Sequence, residues 1–212
     1  MKYKLLVVGT MAYDAIETPL GKVDKILGGA ATYIGLAASS FSIDCGLVSV
    51  VGEDFEKEHL ALLKDKGIDV SGVEIVPGGE TFFWSGRYHN DLNTRTTLDT
   101  RLNVLENFDP KIPDHLSTPD IVMLGNLSPD VQLAALTQIK NKPKLVVLDT
   151  MNFWMDHARK SLDKVIAKVD VISINDEEAR QLTDQYSLVK AAQMIHEMGP
   201  KYVIIKKGEN GA

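Results

Sequence analysis

Asp14 stands shortly after an apolar run, residues 5–8, that ends at Gly9. A carboxylate just past the C-terminal end of a buried strand sits where ligands of parallel sheets collect, and its two oxygens can accept hydrogen bonds from the hydroxyls of a polyol. The same residue type also closes turns without touching a ligand. Gly28-Gly29 is a second candidate. Paired glycines let backbone N–H groups approach a ligand closely, or simply open a helix. Asn175 and Glu178 have the spacing of a capping box, which stabilises a helix start and also leaves a carboxylate at a strand end. Phe82, Trp84 and Tyr88 alternate at period two, giving one aromatic face that could cover a ligand or meet a second subunit. Thr97, Asp99 and Arg101 share one parity on the next strand and are candidate contacts for hydroxyls or charge.

Several chemistries lack their residues. There is no G-x-x-x-x-G-K-[ST], and the first strand runs into Gly9-Thr10-Met11-Ala12-Tyr13 rather than a G-x-G-x-x-G turn, so neither a P-loop nor a dinucleotide fingerprint is present. H-E-x-x-H and C-x-x-C are also missing, and the five histidines do not cluster at ligand spacing. A net charge of −6 over 212 residues gives no general affinity for nucleic acid or anionic membrane. The single cysteine, Cys45, cannot form an internal disulfide, which suits the cytoplasm. No apolar run approaches the length of a signal peptide or a membrane span.

Strands separated by helices must position these residues. Residues 120–124, 144–148, 169–174 and 202–206 read as strands, and 129–140, 156–168, 176–183 and 187–198 as helices. Strand 5–8, helix 28–41, strand 43–51 and helix 54–66 show the same alternation, which implies right-handed crossovers and a parallel sheet covered on both faces. Residues 72–103 break the rhythm: 73–76, 81–89 and 94–102 read as strands with glycine, proline and asparagine turns between them. With a further strand in 15–27 they form a small β lid, leaving 1–14, 28–71 and 104–212 as the α/β core. A parallel fold would continue into a helix after 202–206 and its glycine turn, so further sequence is expected beyond Ala212.

Four features in order, spanning nearly the whole chain, resemble the ribokinase-like (PfkB-type) carbohydrate kinases. They are the first strand leading into Gly9-Thr10 with Asp14 beyond, the Gly28-Gly29 pair with Val48-Ser49-Val50-Val51-Gly52-Glu53-Asp54-Phe55, the N-x-x-E of Asn175 to Glu178, and Lys206-Lys207-Gly208-Glu209-Asn210-Gly211. The resemblance implies a ribokinase-like α/β fold, ATP and Mg²⁺, and transfer of the γ-phosphoryl group to a hydroxyl of a sugar, nucleoside or similar alcohol. It places the acceptor at Asp14, Gly28 and Gly29; Trp84, Asp99 and Arg101, read from the faces their strand positions share, are further candidate contacts on the lid. Tyr33 stands where the family often carries a sugar-binding asparagine, which points to an atypical acceptor. Asn175 and Glu178 would lie beside the phosphates, Glu178 holding Mg²⁺ through water. Lys206, Gly208 and Gly211 would be near the nucleotide. Asp149-Thr150-Met151-Asn152 resembles the family's D-x-N segment with the asparagine one residue late, so only Asp149 carries over.

The family's proton acceptor is an aspartate in a G-A-G-D loop. None occurs here, so it is expected beyond Ala212. The resemblance also implies a homodimer formed through the lid. Two rival readings are a catalytically inactive sugar- or nucleoside-binding relative and an unrelated α/β hydrolase. The second would be favoured if Asp14, Gly29 and Glu178 lay far apart.

Overall fold

Strand β1 (Tyr3–Val8) buries side chains on both faces, as period-two geometry requires of a central strand. Leu6 and Val8 enter one apolar cluster and Val7 the other. The computed structural model describes residues 3–41, 43–92 and 94–212. After β1 come β2 (Ala12–Thr18), β3 (Gly21–Gly28), α1 (Ala30–Ser39), β4 (Ile43–Gly52), α2 (Lys57–Asp65), β5 (Asp69–Val76), β6 (Phe83–Tyr88) and β7 (Arg95–Arg101). The remainder is β8 (Ile121–Leu124), α3 (Pro129–Thr137), β9 (Leu145–Leu148), α4 (Asn152–His157), α5 (Arg159–Ile166), β10 (Val171–Asn175), α6 (Asp176–Thr183), α7 (Leu188–Glu197) and β11 (Tyr202–Lys206).

The large sheet has seven strands in the order β11-β10-β9-β8-β1-β4-β5, and every pairing in it is parallel. The chain turns to β4 and β5 on one side of β1 and places β8 to β11 on the other, so the loops after β1 and β8 part at a topological switch point. Glycines floor that crevice. A Cβ on Gly125 would lie 3.2 Å from the Cα of Gly9. One cluster packs Val7, Leu47 and Val51 with Ala31 of α1 and Leu63 of α2. The other joins Leu6, Val48 and Leu124 to Ala135, Leu162, Leu182 and Ile195 of the later helices. Full burial of such a side chain stabilises by about 1.5–3 kcal/mol.

The small sheet has four strands in the order β3-β2-β6-β7. β2 pairs antiparallel with β3 and parallel with β6, and β6 pairs antiparallel with β7. Its root is anchored on the outer face, where the Tyr13 ring meets Phe55 at 5.4 Å and His59 at 5.8 Å. That contact turns the neighbouring Asp14 inward, because successive strand residues point to opposite faces.

Four boundaries differ from those read in the sequence. Residues 73–76, grouped above with the lid, belong to β5, which pairs with β4 at the edge of the large sheet. A half-buried edge strand and a hairpin strand look alike in a short sequence window. Residues 15–27 hold parts of two strands, joined by a turn in which Thr18 Oγ1 accepts from Leu20 N at 3.1 Å. Gly28 closes β3, and α1 starts at Ala30. The helix expected over 156–168 is two, broken at Ala158, whose φ of −138° is not helical.

Candidate active site

Loops after β1, β8 and β9 and the C-terminal ends of β10 and β11 meet the inner face of the small sheet around a cleft of about 580 Å³. Asp14, Gly29, Tyr33, Trp84, Asp149, Asn175, Glu178 and Lys206 all border it, so the separation that would have favoured the hydrolase reading is not found. Asp14 has no hydrogen-bond or ion-pair partner among the described residues, and burial pushes its carboxyl up to about 6. A carboxylate held partly out of water without a partner is poised for donors brought by a ligand.

The two glycines do different work. A Cβ on Gly28 would lie 2.3 Å from Asp14 Oδ2, so Gly28 makes room for the carboxylate. Gly29 has φ 95° and ψ 143°, and a Cβ there would lie 2.4 Å from Thr10 O. Thr10 occupies the start of α1: its Oγ1 accepts from Ala30 N at 3.0 Å and its carbonyl from Ala31 N at 2.8 Å. The Tyr33 hydroxyl donates to Leu27 O at 2.9 Å and leaves its ring at the mouth of the cleft.

On the lid, Phe82, Trp84 and Tyr88 face the chain's own cleft. The Trp84 indole lies over Gly86 and its Nε1 donates to Thr97 Oγ1 at 3.3 Å. Asp99 and Arg101, expected as acceptor contacts, are on the other face. A bulge between Ser85 and Gly86 shifts the register, so Thr97, also expected there, keeps its place on the cleft with Arg95, while Thr100 takes the face expected for Asp99 and Arg101. Asp99 pairs with Arg101 at 3.2 Å, and the Arg101 guanidinium lies 4.2 Å from the Phe83 ring centroid.

At the far end, Asn175 and Glu178 form a reciprocal capping box. Glu178 N donates to Asn175 Oδ1, and Asn175 N donates to Glu178 Oε2, each at 2.8 Å. Burial holds the Glu178 carboxyl above its ordinary range and the charge of Asp149 adds to the effect, while the Asn175 N–H, Lys206 and Arg95 oppose it. Burial likewise raises Asp149, opposed by the Lys206 ammonium 3.5 Å away. Gly208 and Gly211 take φ of 57° and 78° to fold the final turn and lie outside the lining of the cleft.

Gln132 could not be singled out from the sequence. It is fully buried inside α3, and its Nε2 donates to Gly125 O at 2.8 Å and Asp149 O at 3.3 Å. It thereby ties together the loops after β8 and β9. A glutamine in a largely apolar helix was the available signal, but its partners depend on which strands are neighbours.

The sequence profile of the pfkB family carbohydrate kinases matches residues 2–212. The chain belongs to that family. As a pfkB kinase it is a phosphotransferase with an alcohol group as acceptor. It is 29% identical over 209 residues to a cytidine kinase of Thermococcus kodakarensis, covering 98% of this chain and 74% of that one. A nucleoside kinase of Methanothermobacter thermautotrophicus is 23% identical over 237 residues, covering 98% and 71%. The fold matches the nucleoside kinase of Burkholderia thailandensis in complex with inosine, with a TM-score of 0.69 at 18% identity over 97% of this chain and 70% of that one.

The pfkB kinase's residues fit a hydrated Mg²⁺ better than a protein cage. No group of three or more His, Cys, Asp or Glu among the described residues could hold a metal. Mg²⁺ usually keeps several waters and takes one or two carboxylates plus substrate phosphates. Asp149 and Glu178, close enough for their charges to interact, match that pattern.

Proposed function

We propose that the protein transfers the γ-phosphoryl group of ATP to a hydroxyl of a nucleoside. The observation that carries this reading is Asp14, a half-buried, unpartnered carboxylate on the inner face of the lid, in register with Trp84 on the neighbouring strand. Asp14 accepts hydrogen bonds from the ribose hydroxyls and fixes the acceptor's orientation. Trp84 and Tyr88 cover the acceptor and exclude water. Lys206 and Arg95 offer positive charge near the transferred group, where phosphoryl transfer depends on positioning and electrostatics. Asp149 and Glu178 would hold Mg²⁺ through water, and the bound ion would neutralise phosphate charge. The relatives named for cytidine and nucleosides support this acceptor class. The reaction belongs in the cytoplasm, where ATP is abundant, and no helix among the described residues is long and apolar enough to cross a membrane. Calorimetry should register saturable binding of nucleosides and none of ribose phosphates. The opposite order of affinity would reject the nucleoside reading.

Pairing of two chains through their lids belongs to the same proposal, on a different surface from the aromatic face first considered. Trp84 lies against the chain's own cleft, whereas Leu20, Val23, Leu92 and Leu98 are exposed on the lid. A two-fold pair, the commonest kind of oligomer, would cover such exposed apolar side chains. Sedimentation at micromolar concentration should give a dimer that Val23→Glu with Leu98→Glu converts to monomers. A monomeric wild type would rule the pairing out.

A further inference from the structure

The wall of the cleft opposite the lid is made by α4, with Gln181 of α6 behind it. Resting on the nucleoside assignment, we propose that this wall reads the base and selects nucleosides whose base carries an exocyclic amine. Asn152, Phe153, Asp156 and His157 all line the cleft. Residues four apart on a helix share one side, so Asn152 with Asp156 and Phe153 with His157 form two adjoining rows on α4. The Phe153 and His157 rings stack with centroids 4.3 Å apart and planes 23° apart, giving a flat apolar surface beside the polar groups.

The hydrogen-bond network fixes what the polar groups present. His157 Nδ1 lies 2.8 Å from Phe153 O. A carbonyl only accepts, so Nδ1 carries the hydrogen and Nε2 of the neutral ring is an acceptor. Gln181 stands between Asn152 and Asp156. Its Nε2 must face the carboxylate and donates to Asp156 Oδ1 at 2.8 Å, so its Oε1 faces Asn152 and accepts from Asn152 Nδ2. The wall therefore keeps Asn152 Oδ1, the second oxygen of Asp156 and His157 Nε2 as acceptors.

Such a wall repels phosphate oxygens, whereas the Lys206 ammonium attracts them. The wall repels a base carbonyl for the same reason and is complementary to an N–H₂ group. Cytosine and adenine present that donor where uracil and hypoxanthine present an oxygen.

Titration calorimetry with two matched pairs, cytidine against uridine and adenosine against inosine, tests the assignment. The amine member should bind at least about tenfold tighter in the preferred pair, the effect of one well-placed hydrogen bond. His157→Phe keeps the stacked ring and removes the acceptor, and Asp156→Asn supplies donors in place of a carboxylate. Both positions are exposed, so the fold should survive, and each variant should cut the ratio to below about threefold. Asp14→Asn should weaken both members alike and leave the ratio unchanged, because it acts on the ribose. Equal affinity within both pairs in the wild type, or a ratio that neither wall variant moves, would overturn the amine selection while leaving the nucleoside reading standing. If no nucleoside binds and a sugar phosphate does, the nucleoside assignment falls and the base-reading wall with it.

Discussion

Asp14→Asn is expected to raise the melting temperature at pH 7 while lowering affinity for the acceptor by roughly tenfold to hundredfold. Both effects come from one carboxylate. On the proposed reading its partner hydroxyls arrive with the substrate, and losing a charge-assisted hydrogen bond costs about 1.5–3 kcal/mol. Before the substrate arrives, the charge stands half-buried and unpaired, which raises the carboxyl from 3.8 to about 6. Between those values the folded chain binds more protons at this site than the unfolded chain. Stability from this group is therefore present below pH 4 and is lost as pH rises toward 6. At pH 7 the ionised form costs on the order of 1–2 kcal/mol, after discounting for partial exposure to solvent. Removing it should raise the melting temperature by about 2–8 °C. The gain should vanish below pH 4, where both forms are neutral. Acceptor affinity in the wild type should rise as pH passes from 5 to 7, as the accepting form is produced. A variant that melts no higher than wild type at pH 7 and binds the acceptor equally well would remove Asp14 from the site.

Adjacent glycines should fail in opposite ways. In Gly28→Ala the new methyl meets the end of the Asp14 side chain, 2.3 Å from Oδ2. The carboxylate can rotate away, so melting should change by no more than a few degrees while acceptor affinity falls as far as in Asp14→Asn. In Gly29→Ala the methyl meets the backbone of Thr10 and Met11 at 2.4 and 2.8 Å, and φ of 95° is a region L-residues avoid. Neither obstacle is a flexible side chain. Strain and overpacking together should cost about 3–5 kcal/mol, or roughly 6–20 °C in melting temperature. Differential scanning calorimetry with acceptor titration separates the two. If Gly28→Ala lost stability and kept affinity, the carboxylate's position would not depend on Gly28.

Residues close to their own strand ends were legible in the sequence. Gly28-Gly29 and the Asn175–Glu178 box declare themselves locally, because a close approach and a helix cap each constrain residue type over a few positions. Asp14, by contrast, read as the last residue of the core segment 1–14, stands on lid strand β2. Parity failed on β7, where the bulge opposite Ser85 and Gly86 exchanges faces, turning Asp99 and Arg101 away from the cleft and bringing Thr100 in. A one-residue slip reverses every later side chain, and no composition signal marks it. Gln132 and Gln181 were invisible for another reason. Each bridges segments that become neighbours only when the sheet order is known.

Both of the chain's tryptophans flank the cleft. Trp84 lies on the lid's inner surface. Trp154 stands behind the opposite wall, its Nε1 donating to Asn126 Oδ1 at 2.9 Å and its ring edge-on to Phe153. Intrinsic fluorescence is thus an unlabelled reporter with one emitter on each jaw. A ligand that desolvates the lid should shift the emission of Trp84, and one that moves the loop after β8 should alter that of Trp154. Replacing either tryptophan with phenylalanine would give two single-emitter proteins, in which arrival of the acceptor and closure of the lid can be timed separately.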